Sequence, residues 1–213
     1  MSRAERFALA GALILLLVQA IATAFEPTGH ALEYQRAALS AEPWRLLTGH
    51  WIHINGPHVL INATAWFVVA RLFALELTPA RQAAIMVVAS VAISAGLAWL
   101  YPWIAWYRGF SGVLHALFFA GAVAWLAGAI AAGALRTSSR LWLTAALFAG
   151  GWIKVVLEQP AEGATPVVAW LGAPTVPQAH LIGAACGTAM GLLFVVVRAR
   201  ASAAPALTRD QRE

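Results

Sequence analysis

Six long runs of apolar residues constrain this chain more than any other feature of its sequence. They cover residues 7–25, 59–77, 83–100, 110–135, 141–157 and 179–197. Each run is close to the roughly 17–25 residues that a helix needs to cross the hydrocarbon layer of a bilayer. Because 61% of the 213 residues are hydrophobic and only 11% are charged, the composition excludes an ordinary water-soluble domain. The sequence therefore predicts an all-α membrane protein with six transmembrane helices.

The basic residues predict how this bundle is oriented. If the N-terminus is cytoplasmic, Arg36, Arg45, Arg108 and Lys154 lie outside, and the remainder of the 14 Lys and Arg residues lie inside. Cytoplasmic loops are enriched in Lys and Arg, so we expect both termini in the cytoplasm. The net charge of +5 then reflects topology. No basic cluster with interleaved aromatic residues indicates nucleic-acid binding.

The segments between the apolar runs are too short to form a second core. We expect one membrane domain over residues 1–200 and a disordered cytoplasmic tail over residues 201–213. The longest connection, residues 26–57, is rich in Trp and His, and Trp favours the membrane interface. We expect this outer loop to be folded and partly sunk in the interface. The connection 158–177 carries four prolines and is predicted to be largely non-helical.

Polar residues open the second, fourth and sixth apolar runs. In the predicted topology all three runs start at the outer face, and they carry Asn62, Ser111 and His180. A helix rises about 1.5 Å per residue, so these side chains lie within roughly one turn of the outer boundary. Polar groups inside a span are presumed functional. Three of them at one depth predict a shared site.

These residue types together indicate a serine hydrolase. A serine hydroxyl needs a base, and His180 can accept the proton of Ser111 and later give it to the leaving amine. The amide of Asn62 and the unpaired N–H groups at the start of the fourth helix can stabilise an oxyanion. His58 lies on the same helical face as Asn62. We find no acidic residue near His180 in the sequence, which predicts a Ser–His dyad.

Glycines accompany both predicted catalytic residues. They are Gly109, Gly112, Gly183, Gly187 and Gly191. The first two keep the backbone beside Ser111 free of side-chain bulk. The last three recur every four residues after His180, and small residues at this spacing let membrane helices approach closely. We expect the sixth helix to pack on the fourth and to bring His180 within hydrogen-bond reach of Ser111.

Three motifs in this order resemble those of rhomboid intramembrane serine proteases: His58-x-x-x-Asn62, Gly109-Phe110-Ser111-Gly112 and His180-x-x-Gly183-x-x-x-Gly187. The resemblance implies a six-helix rhomboid-like bundle in which Ser111 is the nucleophile, His180 is the base, and His58 and Asn62 assist the oxyanion. The string Gly-Phe-Ser-Gly-Val-Leu-His, which ends at His115, more narrowly resembles the rhombosortase branch.

The rhombosortase resemblance carries further expectations. It implies an enzyme of the bacterial inner membrane whose active site faces the periplasm. Its partners would be membrane lipid and transmembrane substrates with a Gly-rich C-terminal tail, the Gly-Gly-type sorting tail of exported proteins. Neither a cofactor nor a metal is predicted.

Histidines outside the predicted dyad leave some roles open. His115 stands where many rhomboids carry a tyrosine, and it either stacks on His180 or competes with it as the base, since residues four apart on a helix are neighbours. His50 and His53 are expected to hold the outer loop by hydrogen bonds. With His58 they could form a three-histidine site, but no His-Glu-x-x-His helix supplies the base of a zinc protease.

Two other classes of membrane protein remain as alternatives. A haem-binding cytochrome could use two of the intramembrane histidines as axial ligands, but it gives no reason for Ser111 or Asn62. A small transporter places its polar groups near the bilayer midplane and often shows repeated halves. Here the polar groups lie near the outer face. Lys154 and Glu158, four residues apart at an outer helix end, are interpreted as a plain ion pair.

Overall fold

The computed structural model describes residues 1–132, 139–159, 168, 172 and 175–203. In chain order its elements are α1 (Arg3–Ala24), α2 (Glu26–Leu32), β1 (Tyr34–Gln35), a 3-10 turn (Arg36–Ala38), α3 (Arg45–Thr48), α4 (Gly56–Leu72), α5 (Pro79–Leu100), β2 (Trp106–Tyr107), α6 (Ser111–Ala131), α7 (Ser139–Leu157) and α8 (Pro177–Ala203). Each predicted apolar run falls mainly on one helix, and residues 133–135 of the fourth run lie outside the described residues. The mostly helical class is therefore confirmed.

Not all of these helices have the length of a membrane span. Among the described residues, α1, α5, α6 and α8 are long and apolar enough to cross a bilayer, and Leu141–Leu157 within α7 is a shorter apolar helix. Helix α4 has 17 residues. Helix α4 ends at Leu72, although the apolar run was predicted to continue to residue 77. The chain turns after Leu72, and Thr78 then caps the N-terminus of α5.

The glycine face of α8 packs directly on α6. A Cβ atom on Gly183 would collide with the backbone carbonyl of Gly112, and one on Gly187 would collide with that of Ala116. The same close approach continues at Gly191. This confirms the predicted packing of the last helix on the serine-bearing helix.

The outer loop between α1 and α4 is folded, as predicted. Strands β1 and β2 pair in antiparallel register, with Tyr34 opposite Tyr107. The buried Arg45 side chain donates hydrogen bonds from Nη1 to the carbonyls of His30 and Glu33 at 2.6 and 2.7 Å. These contacts tie the loop to itself and to the segment that leads into α6.

Helix α8 reaches into the first residues of the predicted tail, most of which lies outside the described residues. Helix α8 continues to Ala203, whereas the tail is predicted to begin at residue 201. Residues 204–213 and most of the connection 158–177 lie outside the described residues.

Candidate active site

Ser111 and His180 are in direct contact at the starts of two adjacent helices. Ser111 is the first residue of α6, and His180 lies in the first turn of α8. His180 Nε2 lies 2.9 Å from Ser111 Oγ. The glycine contacts between α6 and α8 bring the two backbones close enough for this hydrogen bond. The structure thus brings together the two residues that the sequence pairs.

A sharp turn delivers Ser111 to this position. Gly109 has φ of 136°, and a Cβ atom there would lie 2.8 Å from His58 Cε1, so only glycine is accommodated without strain. The hydroxyl of Tyr107 donates to Gly109 O at 2.5 Å and fixes the turn. The N-cap residue Phe110 provides no side-chain cap, so the first N–H groups of α6, at the helix end that carries Ser111, have no side-chain acceptor from the cap.

Glu158 contacts the side of His180 that faces away from Ser111. Its Oε2 atom lies 3.1 Å from His180 Nδ1. The expectation that no carboxylate reaches His180 is therefore wrong. Glu158 is the first residue beyond α7, a helix that precedes α8 and meets it at this end. The predicted ion pair with Lys154 is confirmed, at 2.7 Å.

The Glu158 contact assigns the proton on the His180 ring. Although partial burial acts to raise the pKa of Glu158, hydrogen bonds from His180 and Lys154 hold it at about 2, so the carboxylate is ionised at neutral pH. An ionised carboxylate only accepts hydrogen bonds, so Nδ1 of His180 carries the hydrogen. When the ring carries only this hydrogen, Nε2 is the acceptor, and Ser111 donates its hydroxyl proton there. This is the direction of proton transfer that activates a serine.

His115 is stacked on the ring of His180. The ring centroids are 4.3 Å apart, and the planes differ by 16°. His115 Nδ1 lies 2.8 Å from Ser111 O, to which it must donate, and its Nε2 lies 3.3 Å from Lys154 Nζ. Both ring nitrogens are therefore engaged by groups other than Ser111 Oγ. Of the two geometries that the sequence allows, the structure has the stacked one.

His58 and Asn62 border the same cavity from α4. This cavity has a volume of about 170 Å³. Its polar lining includes His58, Asn62, Ser111, His115, Lys154, Glu158 and His180. Asn62 Nδ2 donates to His58 O at 3.0 Å, and the second hydrogen on that nitrogen remains for another acceptor. All the polar side chains that the sequence assigns to the site thus surround one space.

The comparison with known protein families agrees with this arrangement. A family model for the Rhomboid domain matches residues 40–197, most of the chain and all the polar residues of the candidate site. This chain belongs to the rhomboid family. The family implies an integral membrane serine protease that acts on transmembrane protein substrates. No curated protein matches the chain.

Two further cavities in this rhomboid reach Ser111. An apolar groove of about 490 Å³ lies between α4 and α7, where Ile61 and Leu147 form part of its walls. A cavity of about 250 Å³ borders His58 and is lined by the aromatic segment 103–108. Ser111 therefore borders both an apolar groove and a partly polar pocket.

The two outer-loop histidines of the rhomboid differ in their contacts. His50 Nε2 lies 3.0 Å from both Ser90 O and Ser94 Oγ, so its predicted role in holding the loop is confirmed. The ring nitrogens of His53 have no hydrogen-bond partner among the described residues, so that prediction is wrong for its ring. Burial lowers the pKa of His50 to about 4 and that of His53 to about 3. Both rings are neutral at physiological pH.

The ammonium group of Lys154 lies beside a cluster of side chains of the kind that can bind a metal cation. Potential ligand atoms of His115, Glu158 and His180 lie within 4.8 Å of one another. The ammonium group of Lys154 contacts the first two, at 3.3 and 2.7 Å. A positive charge is thus already provided at this cluster.

Tyr107 and Glu158 are the site residues that sequence reasoning missed. Tyr107 lies in a two-residue strand, which has no detectable period. Burial raises the pKa of its phenol, and hydrogen bonding to Ser111 opposes this shift. The sequence does contain an indication of Glu158. In the predicted topology the fifth apolar run ends at the same membrane face at which the sixth run begins, so Glu158 and His180 are expected at one side of the membrane.

Proposed function

We propose that Ser111 and His180 cleave a peptide bond near the periplasmic end of a substrate transmembrane helix. The observation that carries this proposal is the 2.9 Å contact between His180 Nε2 and Ser111 Oγ. The rhomboid family supplies the coarser conclusion, an intramembrane serine protease. The proposal adds the residues, the face of the membrane and the position of the bond.

The proposed reaction begins when Ser111 Oγ attacks the scissile carbonyl. The Oγ–C bond forms while the hydroxyl proton passes to His180 Nε2, and the carbonyl oxygen becomes an oxyanion. The N–H groups at the start of α6, the amide of Asn62 and His58 stabilise this charge. His180 then gives its proton to the leaving nitrogen as the C–N bond breaks, which leaves an acyl group on Ser111. Water or an amine attacks this ester while His180 accepts the proton of the attacking group. His180 then returns that proton to Ser111 Oγ as the Oγ–C bond breaks, which releases the product and restores the serine hydroxyl.

The proposed topology places this chemistry on the outer face. Helices α4 and α7, with 17 and 19 residues, fall within the roughly 17–25 residues of a span and would complete six crossings with both termini in the cytoplasm. Residues 1–200 would form the membrane domain and residues 201–213 its cytoplasmic tail. The distribution of Lys and Arg supports this orientation, and a bacterial inner membrane would then put Ser111 near the periplasm.

The proposed substrates are exported proteins with a Gly-Gly-type C-terminal sorting tail. The heptapeptide that ends at His115 supports this rhombosortase-like assignment. The apolar groove between α4 and α7 supports it too, since it can hold an apolar segment beside Ser111. A helical substrate hides its carbonyls, and Gly-rich sequence unwinds at low cost because glycine disfavours the helix by about 1 kcal/mol per residue.

The test combines a chemical probe with a substrate. Intact membranes that carry wild type, Ser111→Ala or His180→Ala are labelled with a fluorophosphonate, and a reporter with a Gly-Gly tail is followed in the same cells. We expect label and processing in wild type alone, with all three proteins at equal abundance. Processing by the serine variant would refute the mechanism.

A matched reporter tests the substrate class separately. In this reporter the two glycines of the tail are replaced by leucines, and we expect its processing to fail. Equal processing of both reporters would refute the assignment to sorting tails while leaving the serine mechanism intact. A visible absorption band in the purified protein would instead favour the haem-binding alternative.

A further inference from the structure

We propose that Glu158 is a positioning residue that orients His180 and extends the Ser111–His180 pair to a set of three residues. This inference rests on the proposed function and extends it beyond a dyad. Its basis is the approach of Glu158 Oε2 to His180 Nδ1 at 3.1 Å, on the ring edge opposite the bond to Ser111. One imidazole thus connects a hydroxyl to a carboxylate.

The chemistry of the contact gives Glu158 a definite task. A neutral imidazole has one N–H and one acceptor nitrogen, and the hydrogen bond made by one nitrogen decides the role of the other. Glu158 accepts from Nδ1 and so reserves Nε2 as the acceptor for the Ser111 hydroxyl. When the proton of Ser111 arrives, both ring nitrogens become donors, and the carboxylate stabilises the positive ring.

Lys154 holds the Glu158 carboxylate in place. Its ammonium lies 2.7 Å from Oε1 of Glu158, one turn away on the α7 end, while Oε2 remains for His180. The same ammonium contacts His115 Nε2 at 3.3 Å, so the stacked ring and the carboxylate share one anchor. The two oxygens of Glu158 therefore have separate partners, which fixes the orientation of the carboxylate.

The polar groups that line the cavity beside His180 come from three neighbouring helices. Ser111 and His115 lie on α6, His58 lies on α4, and Lys154 and Glu158 lie at the end of α7. Glu158 is the one acidic side chain among the residues that line this cavity. No other lining residue described by the structure can supply a negative charge to a protonated His180.

The first measurement uses the wild-type protein without any substitution. In ¹⁵N-histidine-labelled protein in detergent micelles, the nitrogen shifts of His180 report which ring nitrogen carries the hydrogen. Assignment uses the resonances that disappear in His180→Ala. We expect the hydrogen on Nδ1, with a proton resonance shifted downfield by the carboxylate. A hydrogen on Nε2 would overturn the proposal.

The second measurement follows nucleophile activation in matched variants. Glu158→Gln keeps the shape of the side chain and removes its charge, Glu158→Asp keeps the charge, and Glu26→Gln removes an exposed carboxylate elsewhere in the outer region. The readouts are the rate of fluorophosphonate labelling of Ser111, kcat and KM for the reporter, and the melting temperature.

We expect Glu158→Gln to lower the labelling rate and kcat by about 100-fold, less than the roughly 10⁴-fold loss when a buried triad carboxylate becomes an amide. The loss is smaller because 26% of the Glu158 side chain is exposed to solvent. KM and the melting temperature should stay near their wild-type values, Glu158→Asp should recover part of the rate, and Glu26→Gln should behave as wild type.

The outcomes separate this inference from the proposed function. Labelling of Glu158→Gln at the wild-type rate overturns the positioning role while Ser111 and His180 keep theirs. A loss that appears equally in Glu158→Asp and follows the melting temperature also overturns it, because it would report only structural support. Wild-type protein that shows no Ser111-dependent labelling contradicts the proposed function itself.

Discussion

The ring of His115 lies nearly parallel to the ring of His180, with 4.3 Å between their centroids. His115 also donates to the carbonyl of Ser111, its neighbour one turn earlier on α6. The stacked ring thus limits the rotation of His180 and keeps Nε2 directed at the hydroxyl. It does so without offering a free acceptor nitrogen to Ser111.

This stacking predicts that an aromatic ring at position 115 suffices for activity. Aromatic pairs contribute about 0.5–1.5 kcal/mol beyond their burial, so His115→Ala should lower kcat/KM by up to about tenfold. His115→Phe retains the stacking surface and should lose less, although it loses the bond to Ser111 O. Reporter cleavage by the two variants measures the difference. If His115→Phe is as inactive as His180→Ala, His115 has a chemical role that stacking does not describe.

The contact between Gly183 and Gly112 predicts a steric control of the site. Gly183→Ala places a Cβ atom against the carbonyl of Gly112, and α8 must move away from α6 to relieve it. We expect slower fluorophosphonate labelling of Ser111 and a loss of about 1–3 kcal/mol in the free energy of unfolding.

Gly128→Ala is the matched control for this substitution. Gly128 lies in α6, the helix on which Gly183 packs, but a Cβ atom there meets nothing within 4 Å. Alanine is the better helix former by about 1 kcal/mol, so this variant should be at least as stable as wild type and should label at the normal rate. Equal labelling of the Gly183 and Gly128 variants would contradict the close-packing argument.

The sequence could predict the parts of this site that depend on local pattern. Apolar length located every long helix, and the glycine spacing after His180 predicted that α8 approaches α6. The contact between Glu158 and His180 was not predicted, because it joins residues 22 positions apart. The sequence does not determine the path of the connection between them. The end of α4 was predicted too late in the chain. The buried residues Phe73 and Leu77 continue the apolar pattern beyond the helix, although the chain turns there.

The outer loop predicts a dependence of stability on acid pH. Glu33 is buried and accepts hydrogen bonds from Gln35 and Arg108, at 2.6 Å each. Burial acts to raise its pKa, but these bonds outweigh it and lower the pKa below the ordinary value. A carboxyl group with a depressed folded-state pKa stabilises the fold fully above its unfolded pKa, about 4.3. This stabilisation is lost as the pH falls through the lower folded-state value.

The measurement compares melting temperatures of wild type and Glu33→Gln from pH 7 down to pH 3. We expect wild type to be the more stable at pH 7, with the difference shrinking steadily below about pH 4.3. The difference isolates Glu33, because the other titrating groups are common to both proteins. A gap that stays constant down to pH 3 would show that the Glu33 carboxylate does not stabilise the loop.

His50 and His53 predict opposite responses to the same substitution. His50→Phe removes the hydrogen bonding to Ser90 O and Ser94 Oγ, and losing a hydrogen bond costs about 0.5–1.5 kcal/mol. His53→Phe removes a ring whose nitrogens have no partner among the described residues. An apolar ring there avoids the cost of burying unpaired polar atoms. Thermal unfolding in micelles should therefore show a lower melting temperature for His50→Phe and an unchanged or higher one for His53→Phe. A strong destabilisation by His53→Phe would mean that the His53 ring contributes a polar interaction to the folded protein.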